Sequence, residues 1–254
     1  MLTEPNVGGR QKTRSIARRA SNAAVLQSSL FCVERMCLVK NITKKEAIKI
    51  VTECAKEYNK QLENKSLLFI CFDKHKRITY YEFKFLSRHF LHLTGLTFNF
   101  KTSEVKNNAS LSVIFYEKCL NGQLSESDFD FSDDGTSVIK LKILPYLICK
   151  NLKANMIGDY NCLTPKLVTS KLAGNIQGCL GFVQDENKEY VPNTALRVDI
   201  RDYIKNNVRV IAVLRKDINS LPYSEITYKA KGIQWDKLSL PKNINYLLPL
   251  LRGD

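Results

Sequence analysis

Apolar side chains return every three to four positions through Ala47, Ile48, Val51, Cys54, Ala55, Tyr58 and Leu62, the spacing that lines one face of an α-helix. Thr43 with Glu46 three residues on forms a capping box at its start, so the pattern predicts an amphipathic helix reaching residue 64. Residues 66–72 and 78–86 are then rich in β-branched and aromatic side chains around the polar run Asp73-Lys74-His75-Lys76-Arg77, which predicts a β-hairpin. Helical spacing returns over 110–120 and from 137 to about 156. Beyond Pro165 the runs become short, β-rich and bounded by Gly, Asn, Asp or Pro, predicting strands at 167–172, 179–184, 208–216 and 225–231. Pro192-Asn193-Thr194 reads as a turn or helix start, and 198–206 as a short helix. The expected fold class is α+β, with helices in the N-terminal half packed on an antiparallel sheet.

The chain has 254 residues and a formal net charge of +14, which favours a polyanionic partner. No stretch has the length and apolarity of a membrane span, so nucleic acid is the expected partner, not a membrane. The basic charge is concentrated early: residues 1–22 carry Arg10, Lys12, Arg14, Arg18 and Arg19 with Glu4 as the sole acid. We therefore expect a basic, partly flexible arm over 1–40 and a folded unit over 41–254. Residues 125–135 reverse the balance with Glu126, Asp128, Asp130, Asp133 and Asp134. Their spacing is not that of a calcium loop, so the segment reads as a solvated loop or a shield for the basic surface.

The eight cysteines, at 32, 37, 54, 71, 119, 149, 162 and 179, are scattered through apolar segments, as reduced cytoplasmic thiols are. Only Cys32 with Cys37 and His89 with His92 approach metal-ligand spacing, and no phosphate loop, dinucleotide fingerprint or zinc-protease motif is present. No metal and no cofactor is expected.

His92 is one of three histidines and lies in Phe90-Leu91-His92-Leu93-Thr94-Gly95, after a strand-like segment and before a glycine. Imidazole transfers protons near neutral pH; a histidine among Phe and Leu is as readily a core residue. Strand alternation over 223–231 puts Tyr223, Glu225, Thr227, Lys229 and Lys231 on one polar, basic face, and Arg215-Lys216 ends the preceding strand. Cleaving RNA without a metal requires a base for the 2′-OH proton, cations for the phosphorane, and an acid for the leaving 5′-oxygen. His92, Lys216, Thr227 and Lys231 are the candidate catalytic set.

Taken in order, the hairpin, Phe90 to Gly95, Gly178-Cys179-Leu180-Gly181-Phe182, Tyr190 to Thr194 with Asp199-Ile200-Arg201, and the last two strands resemble the phage-associated branch of the barnase, EndoU, colicin and RelE-like nuclease superfamily over roughly residues 45–240. The resemblance implies a metal-independent endoribonuclease of α+β fold whose exposed sheet face binds RNA, a toxin or phage effector acting in the cytoplasm, with a protein inhibitor or antitoxin as a further partner. It maps His92 onto the histidine of the H-L-T-G segment and Lys216, Thr227 and Lys231 onto polar strand positions. Arg197, Arg201, Arg215 and Lys229 are the expected phosphate contacts. Two other classes stay open: a non-catalytic nucleic-acid-binding or regulatory protein on the same fold, and an ADP-ribosyltransferase-like enzyme, for which the chain lacks a dinucleotide signature.

Overall fold

Thr43 opens helix α1 (Lys44–Gln61), its Oγ1 accepting from the Glu46 amide at 3.2 Å while the Glu46 carboxylate accepts from the Thr43 amide at 2.8 Å. The two groups satisfy amide donors that the first turn cannot pair internally. The computed structural model describes residues 41–99, 108–162, 167–220 and 222–253; the arm expected over 1–40, with Cys32 and Cys37, lies outside them. Ala47, Val51, Cys54, Ala55 and Tyr58 form the buried stripe of α1. The helix stops short of residue 64, because Asn64 takes a positive φ of 55° and turns the chain into strand β1 (Lys65–Phe72). Its partner β2 (Ile78–Phe85) returns antiparallel in the expected hairpin.

The chain continues through α2 (Phe90–Thr94), β3 (Leu96–Phe98), α3 (Asn108–Leu120), β4 (Phe129–Phe131), α4 (Thr136–Leu147), β5 (Met156–Tyr160), β6 (Lys171–Gly174), β7 (Cys179–Gln184), β8 (Tyr190–Leu196), β9 (Ile204–Asp217), β10 (Glu225–Lys229) and α5 (Leu248–Arg252). Four local expectations are corrected. The helix expected to reach 156 ends at Leu147, two residues past Pro145, and left-handed Leu152 and Lys153 then redirect the chain into β5. Pro192-Asn193-Thr194 is neither turn nor helix start but lies inside β8, at a register shift against β7, and β8 meets β2 at the single pair Phe83 with Tyr190. Proline is tolerated at such an interrupted ladder. The segment 198–206 holds one 3-10 turn, Ile200–Asp202, before β9 begins. The acidic segment contains β4, paired with β3, and is tied down by Lys44 to Asp130 at 2.8 Å and Lys118 to Asp128 at 3.0 Å.

The fold is mixed α+β, as expected, but the sheet expected to be antiparallel includes one parallel pair, β2 with β8, and closes on itself. Eight strands run in the order β1-β2-β8-β7-β6-β5-β9-β10, and β1 also pairs with β9. Closure follows from the length of β9: Ile204 to Arg209 pair with β5, and Arg209 to Asp217 pair with β1. Two strands from the N-terminal half therefore close a ring with five from the C-terminal half, β5 to β9, and β10 pairs with β9 outside it.

Both faces of this sheet carry apolar cover. The main core joins Phe69, Phe83, Phe85 and Phe182 to Tyr58, Phe90, Phe115 and Leu144 of the helices, with the Phe83 and Phe182 rings 4.0 Å apart. On another face, Leu68, Ile70, Ile211 and Leu214 lie under Trp235, Leu240, Ile244, Leu247 and Leu251 of the C-terminal segment. Cys54, Cys71, Cys119 and Cys179 are buried free thiols, and burial pushes Cys54 up to about 12. No helix among the described residues is long and apolar enough to cross a membrane.

Trp235 is 6% exposed, and truncating a buried tryptophan costs about 3–5 kcal/mol through lost transfer energy and the cavity left behind. Trp235→Ala is expected to lower the urea midpoint by that equivalent with little change in slope. A stability loss below about 1 kcal/mol would show that the C-terminal cover is dispensable.

Candidate active site

The segment around His92 is not the end of a strand. It is a 3-10 turn, Ser87–His89, running into α2, and nearly every residue in it has a structural task. Phe90 and Leu93 are buried in the main core. Thr94 Oγ1 donates to the Leu91 carbonyl at 2.7 Å and accepts from the Leu96 amide at 3.1 Å, closing the helix. Gly95 takes φ 70° as its C-cap, and a Cβ there would lie 2.7 Å from Lys140 Cδ and 3.3 Å from the Ser137 backbone. Glycine thus permits both the left-handed turn and the close approach of α4.

His92 is left over. It is exposed, and its imidazole makes no hydrogen bond among the described residues. Lys140 of α4 crosses the glycine and donates from Nζ to the His92 carbonyl at 3.2 Å. Partial burial first, and the Lys140 charge second, hold the His92 imidazole below its ordinary pKa of 6.5, because a nearby cation disfavours a second one. Burial likewise lowers the Lys140 ammonium, against the opposing pull of Asp134. At neutral pH the pair therefore offers a free, uncharged imidazole beside an ammonium.

His89 differs from its neighbour. It is buried, and its Nδ1 accepts from the Leu86 amide at 3.2 Å. Burial, reinforced by Arg88 and His92 and opposed by Asp185, pushes it down to about 4. It is a neutral structural histidine. His75 sits exposed in the β1–β2 turn.

The other expected residues lie on different elements, and no hydrogen bond or ion pair joins any of them to His92. Strict alternation in β10 fails because Thr227 occupies a bulge between Ile226 and Tyr228; it is buried, and its Oγ1 donates to the Val213 carbonyl at 3.1 Å. Lys216 lies 4.9 Å from the Tyr223 ring. Lys229 bonds the Leu251 carbonyl and lies 5.5 Å from the Trp235 ring, anchoring the C-terminal segment. Arg215 pairs with Glu225 at 2.6 Å and donates to the Gln61 carbonyl at 2.9 Å. Arg201 is paired with Asp199 at 2.6 Å. Lys231 and Arg197 are exposed. The polar face read from the last strand is thus largely engaged in internal contacts.

Lys140 escaped the sequence reading, since nothing near it in sequence sets it apart from other helix lysines; its position depends on the space above Gly95. Among the described residues no group of three or more His, Cys, Asp and Glu side chains stands close enough to hold a metal ion. Comparisons with curated proteins and with solved structures returned no match. A family model does match, over residues 50–232, a span that contains the His92 segment, the whole sheet and most of the helix layer. The chain belongs to the family described as phage-Barnase-EndoU-ColicinE5/D-RelE like nuclease4.

Proposed function

We propose that this nuclease is a metal-independent endoribonuclease in which His92 and Lys140 carry the proton transfers. One observation bears most of the weight: in a segment where the neighbouring side chains pack or cap, His92 presents an unbonded imidazole to solvent. The neutral imidazole takes the 2′-OH proton, the 2′-oxygen attacks phosphorus, and the bond from phosphorus to the 5′-oxygen breaks. Lys140 stabilises the phosphorane and protonates the departing oxygen, leaving a 2′,3′-cyclic phosphate and a 5′-hydroxyl. The net charge of +14 supports a polyanionic substrate, and exposed Arg197 and Lys231 are assigned to its backbone. Lys216, Thr227, Arg201, Arg215 and Lys229 are assigned no step in this scheme. A cytoplasmic toxin or phage effector, restrained by a protein inhibitor, is the biological role we infer from the family's description.

His92→Ala is expected to lower single-turnover cleavage of labelled RNA by roughly a hundred- to ten-thousand-fold, while wild-type cleavage persists in EDTA and yields cyclic-phosphate ends. Activity abolished by EDTA and restored by magnesium, or a folded His92→Ala protein of undiminished activity, would leave a nucleic-acid-binding protein as the better reading.

The pH dependence tests the pair separately. A base held below 6.5 gives a rate that falls only at lower pH, where the imidazole gains its proton. Removing the neighbouring cation relaxes the imidazole toward its ordinary value, so in Lys140→Met the acidic limb of kcat/KM should move to higher pH and the maximum should drop. An unmoved limb would detach Lys140 from His92.

A further inference from the structure

A second polar cluster lies on sheet residues that this mechanism does not use. Lys171, the first residue of β6, sets its Nζ 2.6 Å from the Asp159 carboxylate of β5, and Asn206 of β9 donates to the other Asp159 oxygen at 3.0 Å. Burial disfavours the Asp159 charge, but bonds from Lys171 and Asn206 hold its carboxyl below the ordinary value. The Lys171 ammonium also stands 4.8 Å from the centre of the Tyr81 ring and 5.7 Å from that of Tyr190. Both tyrosines are half-buried against the main core, and neither phenol makes a hydrogen bond among the described residues.

Register extends the cluster across the strands. Asp159 lies opposite Lys171 on one side and Lys205 on the other, so the three form a cross-strand row with two cations. Lys205 is exposed. The Lys171 side chain is only 13% exposed, and a buried ion pair is generally no more stabilising than apolar residues of the same volume. The core does not require a charge between these rings. A cation beside two aromatic faces is, however, what an unpaired base and its phosphate require, since any base stacks on a phenol ring and the phosphate seeks the ammonium. Bases inside a duplex are already stacked and out of reach.

We propose that this cluster binds one unpaired nucleotide of the substrate, its base against Tyr81 and Tyr190 and its phosphate against Lys171 and Lys205, making the preferred substrate single-stranded RNA. The inference rests on the ribonuclease reading and adds the substrate class.

The probe is an eight-nucleotide 2′-O-methyl RNA containing one 2-aminopurine, which cannot be cleaved by 2′-OH attack and whose fluorescence changes on stacking. The expected result is single-strand binding well above that of the matching duplex. Tyr81→Leu or Tyr190→Leu should weaken it roughly five- to hundredfold and abolish the fluorescence change, while Tyr→Phe at either position retains both. Should the Leu variants fail to fold, exposed Lys205→Ala serves instead, weakening binding and reducing its salt slope by about one. Folded Leu variants that bind like wild type, equal affinity for duplex and single strand, or an unchanged salt slope in Lys205→Ala would each overturn the proposal. Cleavage by the wild-type protein is scored separately on ordinary RNA. Cleavage without tyrosine-dependent binding rejects this subsite alone, and tyrosine-dependent binding without cleavage rejects the ribonuclease reading alone.

Discussion

The double pairing of β9 is the constraint on which the other features depend. A single strand of 14 residues serves β5 with one half and β1 with the other, so seven of the eight strands close into a ring and only β10 stays outside it. Exposed edges invite pairing with other chains, and closure removes them. It also fixes what each sheet face can do. Residues 67, 69 and 71 of β1 face the helices, while 68 and 70 face the C-terminal segment. With both faces of β1 committed to packing, little open sheet remains there for a ligand.

The two places to which we assign function accordingly lie where packing stops. The His92 corner lies in the helix layer, where a glycine lets α4 bring a lysine over the end of α2. The Lys171 cluster lies at the edge of the main core, where Tyr81 and Tyr190 are only partly buried. Both combine a cation with a side chain of another type, and both owe their geometry to a backbone irregularity: left-handed Gly95 in one, the register shift in β5 before Asp159 in the other.

Much of this was legible in the sequence where one rule acted alone. The capping box and apolar stripe of α1, the β1–β2 hairpin and the strand character of 179–184 follow from period and turn chemistry. His92 was singled out by residue type and its glycine. The reading failed where a tertiary contact decided the outcome. Alternation through 223–231 would have put Thr227 on an open polar face, but one extra residue in β10 turned its hydroxyl to the Val213 carbonyl. Pro192 carries a turn signal that an interrupted ladder accepts. Lys140 and Lys171 have no local signature, because their neighbours come from strands and helices distant in sequence.

The β1–β9 seam joins Lys65 to Asp217, and such a long separation has a consequence for when the molecule exists. Contacts between distant segments form late and slowly. During synthesis the β1–β2 hairpin and helices α1 to α4 appear first, with one edge of β1 unpaired and its apolar face bare. Nothing can close the barrel before residue 217 has been made. The neighbourhood of the His92 helix is completed by β8, itself held in the ring, so that corner takes its final form only after β9 has been made. A member of a nuclease family thus stays without its closed barrel until synthesis has passed β9.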